Sequence, residues 1–251
     1  MNFTILEFDS IDSTNTEGLK QAQNGADEGL CIVAGRQTAG RGRHGRTWVS
    51  PANAGLYASV VLRPTLEQRY LSLITLMTGV AVHATLSDFG VEPDIKWVND
   101  VLARGKKISG ILAEATETRS GLAVVVGIGI NLKSSNFPPE IIQTATSLED
   151  ETVLPASRDE LLASLTRFFG YYHSVLNGEN GPEQILAEWR NRSTYFAGKN
   201  VRVVLQSETI VGVTDGLAPD GALYIRTNDG TRRTIQAGDV ELLRTAETNT
   251  N

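Results

Sequence analysis

The chain of 251 residues contains one cysteine and no long apolar run. One cysteine cannot form an intramolecular disulfide, and the N-terminal region lacks the charged-then-apolar order of a signal peptide, so we expect a cytoplasmic protein. No apolar stretch approaches the roughly 20 residues that a membrane-spanning helix needs, so no membrane partner is expected. Because Cys31 lies within the apolar residues 30–34, a place in the core fits it better than catalysis.

The chain also lacks an excess of positive charge. It has 23 Lys and Arg against 29 Asp and Glu, a formal net charge of -6. This balance disfavours a general nucleic-acid surface, and we expect no DNA partner. The length and the 41% hydrophobic content predict one large domain, or one large and one small domain.

Against this acidic background, residues 40–48 read Gly-Arg-Gly-Arg-His-Gly-Arg-Thr-Trp and are called the arginine loop below. Arginine supplies planar, permanently charged forks that suit phosphate or carboxylate, and glycine lets backbone N–H groups approach a ligand. The loop therefore predicts a site for a small anion. The alternative is a solvated surface loop, which the acidic composition of the chain makes less attractive.

Gly40, Gly42 and Gly45 have the spacing of a dinucleotide-binding fingerprint. That fingerprint requires a helix directly after the glycines and an acidic residue about 20 positions later. Residues 47–51 show no helical period, and residues 59–62 are mainly apolar. We therefore reject a dinucleotide-dependent oxidoreductase.

The hydrophobic periodicity predicts four helices and four main strands. Strands are predicted over residues 3–8, 30–34, 56–62 and 122–132. Helices are predicted from Ser13 or Thr14 to about residue 24, over residues 70–89, from a capping box at Ser157, and from Gly181. Residues 95–102 and 107–114 predict one β-hairpin, with Lys96, Val98 and Asp100 on one face and Trp97, Asn99 and Val101 on the other.

From Lys199 onward, four short strands at 201–205, 209–213, 222–226 and 232–236, separated by Gly, Asn and Asp turns, predict a small all-β barrel, with residues 240–243 as a candidate fifth strand. We place domains at residues 1–198 and 199–251, and we expect the polar residues 245–251 to fray. The fold class is therefore α/β with a small second β domain.

Five polar motifs occur in a characteristic order: Asp-Ser-Thr-Asn at 12–15, the arginine loop, Lys-Trp-Val-Asn-Asp at 96–100, Lys-Ile-Ser-Gly-Ile-Leu-Ala-Glu at 107–114, and Gly-Ile-Gly-Ile-Asn at 127–131. Together they resemble the biotin protein ligases over nearly the whole chain. The resemblance implies a mainly antiparallel catalytic sheet like that of class II aminoacyl-tRNA synthetases, followed by a Src-homology-3-like barrel.

The same resemblance implies an enzyme that makes biotinyl-5′-AMP from biotin and ATP, releasing pyrophosphate. It then transfers biotin to a lysine of the biotin carboxyl carrier domain of acetyl-CoA carboxylase or a related carboxylase. Mg²⁺ is implied as well, held mainly by the ATP phosphates, and no metal ligand is assigned. Two anions must meet in such a reaction, so cations are needed around them.

The resemblance also implies roles for individual residues. Lys107, Arg43, Asp100 and Lys96 are the predicted catalytic residues, with Lys107 at the biotin carboxylate and the α-phosphate. The predicted biotin-binding residues are Ser13, Thr14, Asn15, Gln37, Gly40, Arg41, Gly42, Arg43, Lys107 and Gly110. The predicted ATP-binding or adenylate-binding residues are Arg41, Arg43, Arg46, Trp48, Asn99, Lys107 and Asn131.

Local alternatives stay open for several of these residues. Ser13 to Asn15 also suit a helix N-cap, Trp48 also suits the core, and Asn99 with Asp100 also suits a polar hairpin end. The loop is expected to be disordered until the adenylate binds.

At the level of function, lipoate ligation and a non-catalytic biotin sensor are the alternatives. Because the first motif begins by Asp12, we expect no N-terminal DNA-binding module and a ligase without repressor activity, as a monomer or a homodimer.

Overall fold

The structure is a computed structural model that describes residues 1–135, 137–154, 156–205 and 208–242. A seven-stranded sheet with helices precedes a five-stranded antiparallel sheet, so the predicted α/β fold class is confirmed. The residues that we expected to fray, 245–251, lie outside the described part of the chain.

The first sheet has the strand order β1-β2-β3-β7-β6-β5-β4. Only β1 and β2 pair in parallel within it; the other neighbours are antiparallel. Every residue of β3 is buried, as expected for a central strand with an apolar sequence. The strands are β1 (Thr4–Phe8), β2 (Leu30–Ala34), β3 (Gly55–Leu62), β4 (Pro93–Lys96), β5 (Asp100–Ala103), β6 (Lys106–Thr118) and β7 (Gly121–Asn131).

Helices cover both faces of this sheet. They are α1 (Thr14–Gln23), α2 (Leu73–Asp88), the short α3 (Leu148–Glu151), α4 (Arg158–Leu176) and α5 (Gly181–Arg190). Alternation along the strands sends Ile32, Val61 and Val125 into a small cluster with α1. Their neighbours Cys31, Val60 and Val126 belong to the main core, together with residues of α2, α4 and α5.

The helix beginnings follow the predicted capping signals. The Ser13 hydroxyl accepts a hydrogen bond from the Thr16 amide at the start of α1. Ser157 and Glu160 form the expected capping box at the start of α4, and Pro182 lies in the first turn of α5. Residues 68–88 are long and apolar enough to cross a membrane, but 61% of their most apolar window is buried, as in a core helix.

The predicted hairpin of residues 95–102 and 107–114 is wrong in its first half. The chain turns back after β4, so that Lys96 pairs with Asp100 of β5, and β5 then pairs with β6. Residues 97–99 form the turn. A distant group holds it in place, because the buried Trp97 indole donates to the Gly221 carbonyl at 3.0 Å. The predicted alternation across residues 96–101 therefore does not apply, and Lys96 and Asp100 lie side by side.

The second sheet contains the four strands predicted after Lys199 and the candidate fifth, although its first strand begins earlier, at Ala197. Its order is β11-β10-β9-β8-β12, and all its pairs are antiparallel. The strands are β8 (Ala197–Val204), β9 (Thr209–Leu217), β10 (Leu223–Thr227), β11 (Arg232–Ile235) and β12 (Asp239–Leu242).

The turn between β9 and β10 holds the second sheet against α2. The Ser72 hydroxyl donates to the Asp220 carbonyl next to the Trp97–Gly221 hydrogen bond. Gly221 has a positive φ of 84°, and an added Cβ would lie 2.8 Å from the side chains of Leu73 and Leu76. The close contact between this turn and α2 therefore depends on glycine at this position.

We expect Gly221→Ala to destabilise the protein more than the matched change Gly230→Ala. Gly230 has almost the same φ, 83°, but its missing side chain faces open space. Both changes cost about 1–2 kcal/mol for the left-handed backbone. Gly221→Ala adds ~1–3 kcal/mol from overpacking against α2. Urea unfolding measures both variants, and equal losses of stability would show that this turn is not tightly packed on α2.

Candidate active site

One cavity collects most of the predicted site residues from distant parts of the chain. Its floor is the first sheet, its side is the arginine loop, and β12 of the second sheet reaches its rim. The predicted residues that line it are Ser13, Thr14, Asn15, Gln37, Arg41, Gly42, Arg43, Arg46, Trp48, Asn99, Asp100, Lys107 and Gly110. All of them except Gln37 come from four of the five motifs.

Three predicted residues are not among those that line the cavity. Lys96 stands behind Asp100, with its Nζ 3.9 Å from an Asp100 oxygen. Gly40 lies under Trp48 and Ser50, where an added Cβ would come within 2.4 Å of the Trp48 carbonyl. Asn131 is buried, and its amide donates to the Thr146 carbonyl at 2.9 Å and the Lys107 carbonyl at 3.5 Å.

A hydrogen-bonded group at the start of α1 forms one end of the cavity; we call Thr14, Asn15, Gln37 and Ser59 the polar cluster. The Thr14 amide and hydroxyl lie 2.8 and 3.1 Å from the Gln37 Oε1. The Ser59 hydroxyl lies 2.7 Å from the Thr14 hydroxyl and 2.6 Å from the Asn15 Oδ1. Ser13 caps the helix, whereas the Thr14 and Asn15 side chains belong to this cluster.

The polar cluster contains three oxygen–oxygen contacts that each need a hydroxyl hydrogen, but only two such hydrogens. Thr14 and Ser59 supply one hydrogen each, but three contacts join Thr14 to Gln37, Thr14 to Ser59, and Ser59 to Asn15. One acceptor site therefore remains for a donor from outside the cluster. A ligand that presents an N–H group at this end of the cavity would complete the cluster.

The arginine loop is closed by its own backbone. Arg41 and Thr47 form an antiparallel bridge, and the Gly42 amide donates to the Arg46 carbonyl. Residues 43–45 make one 3₁₀ turn in which His44 and Gly45 have φ values of 54° and 71°. The turn brings the arginines toward the cavity, and it needs left-handed backbone that favours glycine at position 45.

Each loop arginine meets an oxygen outside the loop. Arg41 lies 2.6 Å from Glu114 of β6, and Arg46 lies 2.5 Å from Asp239 of β12. Arg43 donates to the Asn99 Oδ1 at 3.0 Å and to the Gly238 carbonyl at 3.4 Å. Burial lowers the pKa of Arg43, opposed by Asp239 and Asp100, but an arginine starts so high that it remains charged.

Lys107 is held from two sides. Its Nζ lies 2.6 Å from the Asp100 Oδ1. Its backbone bonds to residues 144–146, the Lys107 amide donating to the Thr144 carbonyl and the Lys107 carbonyl accepting from the Thr146 amide. With Lys96, five cations stand around the cavity against the carboxylates of Asp100, Glu114 and Asp239. The surplus of positive charge favours an anionic ligand.

The Trp48 indole lies on a glycine floor. Gly110 and Gly129 are cross-strand partners in β6 and β7, and an added Cβ would lie 2.9 and 2.3 Å from the indole, respectively. The Lys107 Nζ is 5.4 Å from the ring centroid, within cation–π range. Trp48 therefore lines the cavity instead of the core, and its indole nitrogen has no hydrogen-bond partner among the described residues.

Sequence reasoning missed three polar residues of the site. Ser59 is a single serine in an otherwise apolar strand, and Glu114 ends a predicted motif without a role of its own. Asp239 is 193 positions from its partner Arg46. Only Ser59 had a signal in the sequence, namely a polar side chain in a central strand. A fully buried hydroxyl must find a hydrogen-bond partner, which marks it as part of a polar cluster.

Comparison with known proteins gives a consistent result. Residues 7–131 match the Biotin/lipoate A/B protein ligase family, and residues 196–243 match the biotin protein ligase C terminal domain. A biotin--[acetyl-CoA-carboxylase] ligase of Mycobacterium tuberculosis is 35% identical, over 92% of this chain and 86% of its own. The bifunctional ligase/repressor BirA of Bacillus subtilis is 34% identical, over 95% and 74%. The structure of a biotin protein ligase from Aquifex aeolicus in complex with biotin and ATP aligns with a TM-score of 0.82 and 29% identity, covering 96% of this chain and 99% of that one.

We expect Gly129→Ala to move Trp48 off the glycine floor, because a Cβ at 2.3 Å leaves no room for the indole. The measurement is acrylamide quenching of tryptophan fluorescence, which should increase as Trp48 becomes exposed. Trp97 and Trp189 are 2% and 0% exposed and supply a constant background. The control is the double variant Gly129→Ala/Trp48→Phe, in which only the background of Trp97 and Trp189 remains. Unaltered quenching in Gly129→Ala would mean that the indole does not lie on this floor.

Proposed function

Since the chain belongs to the Biotin/lipoate A/B protein ligase family, and within it to the biotin protein ligases, we propose that this cavity catalyses both steps of protein biotinylation. Biotin reacts with ATP to give biotinyl-5′-AMP and pyrophosphate, and biotin is then transferred to a lysine of a carboxylase's carrier domain. The observation that carries the proposal is the joining, in one cavity, of a donor-deficient polar cluster and a surplus of cations.

The polar cluster suits the uncharged head of biotin. The ureido ring carries two N–H donors and one carbonyl, and the cluster has an acceptor to spare around Thr14 and Asn15. The fused thiophane is apolar and needs an apolar surface, to which the partly exposed Leu112 side chain can contribute. Biotin bound in this way would direct its carboxylate toward the cationic part of the cavity.

Adenylation brings the biotin carboxylate against the α-phosphate of ATP. The carboxylate oxygen forms a bond to phosphorus while the bond to pyrophosphate breaks, and negative charge grows on the phosphate oxygens. Lys107 and Arg43 are the cations that we assign to this centre, with Arg41 in the loop above it. Arg46 and Lys96 are assigned to the remaining phosphates. Fixed cations in a partly dry cavity stabilise such charge without reorganisation.

In the transfer step, the amine of the acceptor lysine attacks the acyl carbon of the anhydride. A C–N bond forms, the C–O bond to AMP breaks, and the proton that the amine loses passes to the phosphate of the departing AMP, which releases it to solvent. Asp100 is the carboxylate beside Lys107, so we assign it to attract and orient the incoming lysine, with Asn99 next to it. Closure of the loop would keep water from the anhydride during this step.

Mg²⁺ belongs to the proposal as a companion of ATP. Among the described residues, no group of three or more His, Cys, Asp or Glu side chains could hold a metal. We assign the ion mainly to the phosphate oxygens of ATP, and Asp100, which lines the cavity, is the carboxylate that would add a ligand. When bound, Mg²⁺ would neutralise part of the phosphate charge.

For the adenine, the assignments of Trp48 and Asn131 stay predictions. Trp48 lines the cavity and offers a flat ring for stacking. The Asn131 amide is engaged by backbone carbonyls, so it would have to exchange or share these bonds to reach the base.

We further propose a cytoplasmic ligase, a monomer or a homodimer, without repressor activity. The net charge of -6 supports the last point, because DNA binding relies on basic side chains that displace counterions from phosphate. In a gel-shift experiment with biotin and ATP present, we expect no retention of duplex DNA at physiological salt. Sequence-selective retention that depends on biotin would contradict a ligase-only role.

Pyrophosphate exchange tests the proposed reaction. We expect biotin-dependent exchange in the wild type, followed by biotin incorporation into a carrier domain. Lys107→Ala should lower exchange by about 10²–10³-fold, the usual effect of removing one fixed stabilising group from such a site. Lys106→Ala is the matched control, since Lys106 is adjacent but exposed.

The same assay separates the alternatives. Exchange with lipoate but not with biotin would indicate a lipoate ligase. Tight biotin binding without exchange or transfer would indicate a sensor. Wild-type exchange in Lys107→Ala would remove this lysine from the mechanism.

A further inference from the structure

We propose that Glu114 is a positioning residue that couples biotin in the polar cluster to the arginine loop. The inference rests on the proposed function, because it assigns the polar cluster to biotin. Glu114 lies on β6 next to the cavity rather than in its lining, and so it is not expected to touch the reacting atoms.

One carboxylate oxygen of Glu114 serves two partners. Its Oε2 accepts from the Asn15 Nδ2 at 2.8 Å and from the Arg41 guanidinium at 2.6 Å. The same Asn15 amide nitrogen also donates to the Leu112 carbonyl at 3.1 Å. Both amide hydrogens of Asn15, a residue that lines the cavity, are thereby used, and its Oδ1 lies 2.6 Å from the Ser59 hydroxyl.

The other end of the arginine loop reaches the same polar cluster by a separate route. The Gln37 Nε2 donates to the Ser50 hydroxyl at 2.8 Å, and that hydroxyl donates to the Trp48 carbonyl at 3.1 Å. The polar cluster therefore holds the loop at two points, through Glu114 at Arg41 and through Ser50 at Trp48. Only the first of these routes carries a charge.

This arrangement explains how an uncharged ligand group could order a cationic loop. A ureido N–H that bonds to the polar cluster fixes the orientation of Asn15, and Asn15 fixes the shared oxygen of Glu114. Arg41 is then held where the phosphate will lie. An exposed ion pair alone holds a side chain weakly. Here the carboxylate is only 26% exposed and is oriented by the buried Asn15, so the pair has a defined geometry.

The test compares Glu114→Gln with the matched control Glu117→Gln. Both remove one carboxylate from β6, but Glu117 is exposed. Glutamine at position 114 can still accept the Asn15 hydrogen bond, whereas it loses the charge that holds Arg41. We expect kcat for adenylation to fall about ten-fold in Glu114→Gln, which is the scale of one charge-assisted hydrogen bond. We expect the unfolding free energy of this variant to stay at the wild-type value.

A second readout reports on the loop itself. Arg41, Arg43 and Arg46 are cleavage sites for trypsin, so biotin should slow cleavage of the wild-type loop and of Glu117→Gln. Biotin should give little protection in Glu114→Gln. A merely structural role for Glu114 would not remove this ligand-dependent protection. Biotin protection equal to that of the wild type would overturn the inference.

A double-mutant cycle completes the experiment. If Glu114 acts through Arg41, Glu114→Gln should add little to the loss already caused by Arg41→Ala, and fully additive losses would contradict that route. Every comparison includes the wild-type protein as a control, in which biotin-dependent pyrophosphate exchange must be observed. Its absence would refute the proposed function, and this inference with it. Exchange in the wild type with unaltered behaviour in Glu114→Gln refutes the inference alone.

Discussion

The pairing of each cavity cation with an oxygen from a different part of the fold is the interaction on which the site depends. Arg41, Arg46 and Lys107 would repel one another in an empty cavity, and Glu114, Asp239 and Asp100 each hold one of them. These carboxylates come from β6, β12 and β5. The cations are thus kept in place before any anion binds, while a net positive charge remains to attract one. This also accounts for a strongly basic loop in an acidic chain.

The sheet contributes the second requirement, a close approach of side chains to backbone. Cross-strand pairing places Gly110 opposite Gly129, and the two make a flat surface for Trp48. Gly127, on the same face of β7, leaves room for Asn15, whose Oδ1 would lie 2.1 Å from an added Cβ. Gly127 and Gly129 therefore shape both ends of the cavity, while Ile128 between them anchors the strand in the main core.

Much of this could be predicted from the sequence, because local signals and tertiary packing agree. Capping residues located the starts of α1 and α4, and apolar runs located β2, β3 and β7. The turn after β4 could not be predicted, since it depends on Trp97 bonding to the distant Gly221. The site divides in the same way. Clustered motifs predicted most of the cavity lining, whereas Asp239 has no local signal, because its role arises only when the second sheet docks.

Because the second sheet docks in this way, it contributes contacts to the site that the first sheet does not contain. Gly221 fits against α2 and binds the turn of β4 and β5, which carries Asn99 and leads to Asp100. At the other end of the second sheet, Gly238 and Asp239 contact Arg43 and Arg46. The two contacts act on the same cavity, one through the turn between β4 and β5 and one through the arginine loop. A shift of the second sheet would therefore move Asn99 and Arg43, which bond to each other at 3.0 Å, at the same time.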